Sequence, residues 1–212
     1  ESGSNTAFGM DITLCSYDAT YKGAYLKSKS NIVLVNMAPG NLFSGKFYKG
    51  ARDMNGTVYF GQPYKWAKRP SGVKVKYDAK TGLVDNNYHK TDKIAIGNPD
   101  YARIFVAIVN WEKTRDVTSG VSKPTGCWDP EISTVNYGGG KIIAYASLWI
   151  NQTEFKGSFN EVTLPFNWYA EDVNPANAKY SLVISCSTSA YGDYLAGYKS
   201  AEMYVGDFEW VY

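Results

Sequence analysis

The chain has 212 residues, 44% of them hydrophobic, and a net charge of +2 at pH 7. That is enough apolar material for a buried core, and the near-neutral balance, with no basic run longer than "AKRP", excludes nucleic acid as the main partner. The longest apolar stretch, "ARIFVAIVNW", contains an arginine and is too short to cross a bilayer, so no transmembrane segment is expected.

From the start of the chain onward, the readable segments alternate with period two. The opening "ESGSNTAFG" reads as a processed or trimmed beginning, and "DITLCSY" then sets Ile12 and Leu14 against Asp11 and Thr13. After the turn sequences "APGN", "MNGT" and "RPSG", "GVKVKYD" places Val73, Val75 and Tyr77 opposite Lys74 and Lys76, the pattern of a half-buried strand. "YARIFVAIVN" is apolar on both faces and predicts a central strand, with Arg103 as its one charged residue. From Thr114 to Gly140 runs a long connection rich in glycine, proline and polar residues, a length that in compact domains commonly carries function. "KIIAYASLWI" and "KYSLVISCS" are further strands, and Cys186 shares a face with Leu182 and Ile184, as a small buried hydrophobe would. Between them "VTLPFNWY" puts Val162, Leu164, Phe166 and Trp168 on one side, while Pro165 on the other marks a sheet edge.

The last strand changes phase. Met203 and Val205 point one way at odd positions, and the next apolar pair, Phe208 and Trp210, stands at even ones. Strict alternation allows this only if a residue is inserted, so a β-bulge is expected near Gly206–Asp207, with Phe208 and Trp210 both in the core. No amphipathic helix of three turns is found. About ten strands separated by turn chemistry predict an all-β fold, a β-sandwich of the jelly-roll type, as a single domain over residues 1–212.

Aromatic residues reach 16%, with 18 Tyr and 6 Trp, which suits strands and also supplies flat faces for stacking on sugars. Trp66, Trp111, Trp128 and Trp149 sit at strand ends or in loops beside polar or charged neighbours, the mixture a sugar site uses. Trp128 is favoured, since it lies in the long connection next to Asp129, between glycine and proline that could hold it away from the sheet. Trp66 with Arg69 follows, and Arg103 is either a ligand partner or a member of a buried ion pair. Asp207 at the bulge is a candidate for a structural calcium, with Asp11 or Asp18 as further oxygen donors. Catalytic signals are few: the single His89 lies in a polar loop and cannot build a triad or multi-His metal site, and the three cysteines lack metal-ligand spacing. A carboxylate pair for glycoside hydrolysis could be drawn from 20 Asp and Glu, too many to single one out.

The C-terminal stretch "KYSLVISCSTSAYGDYLAGYKSAEMYVGDFEWVY" resembles the end of the putative carbohydrate metabolism domain of Bacteroidetes-type surface proteins. Ser187, Ser189, Gly192, Asp193, Gly197, Ser200, Asp207, Phe208 and Glu209 fit that pattern, and Gly206 departs from it where the first of two aspartates usually stands. "GNLFSGKF", "GQPYKWAKRPSGVKVKY" and "GGGKIIAYASLWI" resemble the family's middle section in the same order. The resemblance implies a jelly roll similar to carbohydrate-binding modules, export as a lipid-anchored protein of the cell surface or periplasm, and partner proteins of a polysaccharide-uptake system. It also implies an immunoglobulin-like domain in front, of which residues 1–37 would be at most a remnant or lead-in. The function expected from these readings is binding of a polysaccharide or oligosaccharide, with a glycoside hydrolase or lyase, or an adhesion domain without a small ligand, as alternatives.

Overall fold

A computed structural model describes residues 5–7, 10–32, 34–50, 54–65, 68–111, 114–131, 141–169 and 180–212. Its strands pair antiparallel throughout, and its three larger sheets are stacked through two apolar layers. A five-stranded sheet has the order Asn160–Pro165, Gly72–Lys80, Glu202–Val211, Gly23–Lys27, Cys15–Asp18. A six-stranded sheet runs Gln62–Tyr64, Tyr180–Ser187, Ala102–Asn110, Lys141–Ile150, Asn167–Trp168, with Asn41–Phe43 also paired to Tyr180–Ser187. A three-stranded sheet, Arg115–Gly120, Asn55–Phe60 and Gly45–Lys49, completes the stack.

The period-two pattern explains the layers. Val73, Val75, Leu26, Met203 and Val205 face Ile104, Val106, Ile108 and Cys186 across the main core, so the five- and six-stranded sheets form the expected all-β sandwich. The central strand is buried on its other face as well: Phe105, Ala107, Val109 and Trp111 form a second core with Phe43, Phe60 and Val117. This is why Ala102–Asn110 reads as apolar on both faces. The segment holding Pro165 ends the edge strand of the five-stranded sheet; Phe166 is buried, and Asn167–Trp168 then joins the edge of the six-stranded sheet.

The terminal bulge is where the change of phase places it. Val75 pairs with Phe208 and Tyr77 with Val205, so Gly206 and Asp207 together oppose Lys76. Phe208 and Trp210 pack against the main core but are half-buried, because they lie towards the sheet's end rather than its middle. A second bulge falls on Lys141–Ile150, where Ile108 pairs with Ala144 and Val109 with Ile142. The extra residue lets the neighbours Ile143 and Ala144 both face the first core while Ile142 faces the second.

Two expectations are corrected. The connection read as a loop from Thr114 begins with a strand, Arg115–Gly120, paired with Asn55–Phe60; residues 132–140 of it lie outside the described residues. His89 is in a loop, yet it is half-buried, with Nε2 at 2.9 Å from the Gly120 carbonyl oxygen.

Candidate functional site

The six-stranded sheet presents its second face to the three-stranded sheet, and their strands do not close completely on each other. Between them lies a cavity of about 450 Å³. Its floor comes from Asn41, Phe43, Arg103, Phe105, Ser185 and Ser187, and its roof from Phe47, Lys49, Gly56, Val58, Phe60, Val117 and Ser119. The N-terminal segments add Ile12, Leu14, Ile32, Val35 and Met37; the loop after Gly120 adds Trp128, and the turn after Ser187 adds Ser189 and Asp193.

Arg103 anchors one wall. Its Nη1 and Nη2 donate to the two carboxylate oxygens of Asp129 at 3.2 and 2.8 Å, and Nη2 also donates to Glu131 at 3.2 Å. The guanidinium lies 4.5 Å from the Trp149 ring centroid and 5.3 Å from that of Phe105. Trp149 Nε1 donates to the same Glu131 oxygen at 2.9 Å. Arg103 is thus the buried ion-pair member that its position in an apolar strand suggested, and its fork pins the loop carrying Asp129 and Glu131 onto the sheet.

That pinning seats Trp128. Gly126, with φ at +77°, makes the turn before it, and a Cβ there would overlap the Asp116 carbonyl oxygen. Trp128 meets Trp111, Phe105 and Phe60 edge-on, with centroids at 5.1, 5.4 and 5.9 Å. It is therefore half-buried against the second core rather than held out from the sheet, because the aromatics of that core offer its ring more contact than solvent does. It still lines the cavity.

Asp193 was not singled out as a site residue in the sequence. It belongs to the short 3-10 turn Gly192–Tyr194, which ends at Leu195 in the left-handed region. Its side chain is accessible and lines the cavity, while protein packed around it pushes its carboxyl pKa up. The Cys127 thiol donates a hydrogen bond to it and the Arg103 charge lies close enough to stabilise its anion, both opposing the rise. Burial, followed by the Asp193 charge, pushes the Cys127 thiol up to about 12, so it stays a neutral donor. The Asp193 backbone carbonyl accepts from Ser119 Oγ, which ties the turn to the roof. Beneath, the buried Asp100 carboxylate accepts from Ser189 Oγ at 2.6 Å, Tyr198 N at 2.7 Å and Tyr101 N at 2.8 Å, holding both flanks of the turn. The signal available for Asp193 was its place in the "STSAYGD" turn that carries the family resemblance.

The other sequence candidates that are described do not line the cavity. Trp111 is buried in the second core and offers no open face; its indole N–H has no hydrogen-bond partner among the described residues. Arg69 stacks over the Trp168 ring at 3.9 Å and does not line the cavity, and Trp66 lies outside the described residues. Asp207 is 83% exposed and lies 3.6 Å from Lys76 Nζ, while Asp18 accepts from the backbone N–H groups of Thr20 and Tyr21. Among the described residues no group of three or more His, Cys, Asp or Glu could hold a metal ion, and no helix is long and apolar enough to cross a membrane.

Two solved structures share this architecture. A "putative glycoside hydrolase" from Bacteroides thetaiotaomicron VPI-5482 superposes with a TM-score of 0.65 at 19% identity, covering 93% of this chain and 56% of that one. A second "putative glycoside hydrolase", from Bacteroides vulgatus ATCC 8482, gives 0.63 at 21% identity, covering 93% of this chain and 76% of that one. The chain therefore spans little more than half the length of the first of them, and at these identities the likeness is one of fold. No curated protein matches the sequence. The family described as "Putative carbohydrate metabolism domain" matches residues 5–211, nearly the whole chain, and to that family the protein belongs.

Proposed function

We propose that the domain binds a carbohydrate in the cavity between the six- and three-stranded sheets, as a non-catalytic module of an exported protein working with a glycan-uptake system. The observation that carries this reading is the meeting of Trp128, a half-buried indole that lines the cavity, with Asp193, Ser187 and Asn41 around one space. Sugars present C–H faces ringed by hydroxyls, and a site for them needs an aromatic face beside a few polar groups. Arg103 serves indirectly: its donors are turned to Asp129 and Glu131, so it positions the loop rather than the ligand.

A glycan array followed by calorimetry on the best hit tests the reading. Asp193→Asn removes the charge but keeps the shape, and should weaken binding by about tenfold, the loss of a hydrogen bond to a charged group. An array without a hit, or an Asn variant of unchanged affinity, refutes the assignment. Hydrolysis is the second reading: Asp193 lines the cavity, and the protein packed around it shifts its carboxyl towards the protonated form that a general acid requires. The family membership and the names of the two similar structures are compatible with both readings. Reducing-sugar release from the glycan that binds, lost in Asp193→Asn, would select hydrolysis.

A further inference from the structure

The cavity walls are more apolar than a bare sugar chain can use, and their polarity is ordered. On the floor, cross-strand pairing makes rows: Arg103, Ser187 and Asn41 lie side by side, and one step along come Phe105, Ser185 and Phe43. The roof repeats the arrangement, with Ser119, Gly56 and Lys49 in one row and Val117, Val58 and Phe47 in the next. The polar rows share one end, because Ser119 bonds to Asp193 in the turn that follows Ser187. The apolar rows meet in the second core, where Val117, Val58 and Phe47 join Phe43 and Phe105; Phe60, farther along the roof, contacts Phe43 with centroids at 5.6 Å, and Trp128 touches Phe60 and Phe105. Ser185 is the one hydroxyl in these two rows, so a sugar ring lying there would leave most of its own hydroxyls against Phe43, Val58, Phe60 and Val117 without a partner, a burial that carries a penalty.

From this order we infer, resting on the carbohydrate reading above, that the ligand is an amphiphilic glycoside. Its apolar substituent, an alkyl or aryl group, lies between Val58, Val117, Phe43 and Phe60. Its sugar sits at the Asp193 end, which is lined by the Asp193 carboxyl, by Asn41, whose amide N–H donates to the Pro39 carbonyl, and by Ser187, whose hydroxyl donates to the Ser189 carbonyl. Trp128 and Phe105 stand at the junction.

Tryptophan fluorescence, with Trp128 as the reporter, measures affinity for methyl, butyl, hexyl and octyl glycosides of glucose, galactose and mannose below their micelle-forming concentrations. An octyl tetraethylene glycol ether is the sugar-free control. For at least one head group the dissociation constant should fall about fourfold per added methylene, the equivalent of about 0.8 kcal/mol for each CH2 withdrawn from water, and the octyl glycoside should bind more tightly than the ether. Val58→Thr, nearly isosteric at a half-buried position, should weaken the octyl glycoside about fivefold or more while leaving the methyl glycoside unchanged. Equal affinity for methyl and octyl glycosides overturns the inference and leaves the carbohydrate reading standing. An ether that binds as tightly as the octyl glycosides overturns both. If no octyl compound binds, the inference fails, and the glycan array alone decides the carbohydrate reading.

Discussion

Replacing Arg103 by Met removes the guanidinium but keeps an apolar stem of similar reach, so the result measures the ion pair rather than a cavity. The guanidinium side chain is only 9% exposed, and it holds Asp129 through two hydrogen bonds and Glu131 through a third. Breaking a buried pair by removing one partner costs about 3–5 kcal/mol, chiefly because charge is left uncompensated. Here the remaining carboxylates keep 26% and 33% of their side-chain surface exposed, so water relieves part of that penalty. The expected loss is about 2–4 kcal/mol. For a domain of this size that lowers the melting temperature by about 5–15 °C. Urea denaturation gives the free energy directly. Arg103→Lys should fall between the two, since an ammonium cannot reproduce the two-pronged contact. Arg103→Met with Asp129→Asn should be less destabilised than Arg103→Met alone, because the second change removes one of the stranded charges. A loss below about 1 kcal/mol for Arg103→Met, the scale of an ordinary surface change, would refute the idea that this pair fastens the loop to the sheet.

Three other outcomes follow from the geometry. The folded-state pKa of Asp193 is raised, so the native state binds the extra proton and stability falls as pH climbs from the unfolded value, about 4, to the folded one. Asp193→Asn should therefore be the more stable protein at neutral pH, with the advantage vanishing below about pH 4; equal stability at all pH values in paired melts refutes it. Trp210 is half-buried against Phe166 and Tyr64, with centroids at 5.8 and 5.5 Å, so Trp210→Ala should cost about 2–3 kcal/mol, less than the 3–5 of a fully buried aromatic. A loss under about 1 kcal/mol by chemical denaturation would place the indole in solvent. The exposed Asp207–Lys76 pair predicts equal melting midpoints in EDTA and in calcium, whereas a higher midpoint in calcium would support the metal reading, since an ion bound only to the native state must stabilise it.

Much of the sandwich was legible because its elements announce themselves locally. Alternation in "GVKVKYD" and in the terminal strand needs no knowledge of distant residues, and a one-residue change of phase has few causes other than a bulge. Arg103 in an otherwise apolar strand likewise demanded a partner, although which carboxylate would supply it could not be read. The three-stranded sheet was harder. "ARIFVAIVN" says that both faces of the central strand are covered but not by what, and "RDVTSG" is polar enough to pass for loop. It becomes a strand because Asn55–Phe60 offers it an edge, a cause that lies far away in the chain.

The site shows the same division between local and assembled properties. Trp128 was chosen for its flanking glycine and proline, which do bend the chain, but whether an indole points out or in depends on the aromatics it meets. Phe60, Phe105 and Trp111 come from two sheets, and the fold alone brings them together. Asp193 illustrates the converse. In the sequence it is an aspartate in a glycine-bearing turn, where such residues usually face water. Its chemistry changes because Asp100 holds the turn beneath, Ser119 ties it to the roof and the Cys127 thiol bonds its carboxyl. The carboxyl keeps solvent access, yet the protein packed around it lets each neighbouring charge or donor act with less screening than at an open surface. The surroundings of Asp193 are thus set by Asp100, Ser119 and Cys127, which come from separate parts of the chain.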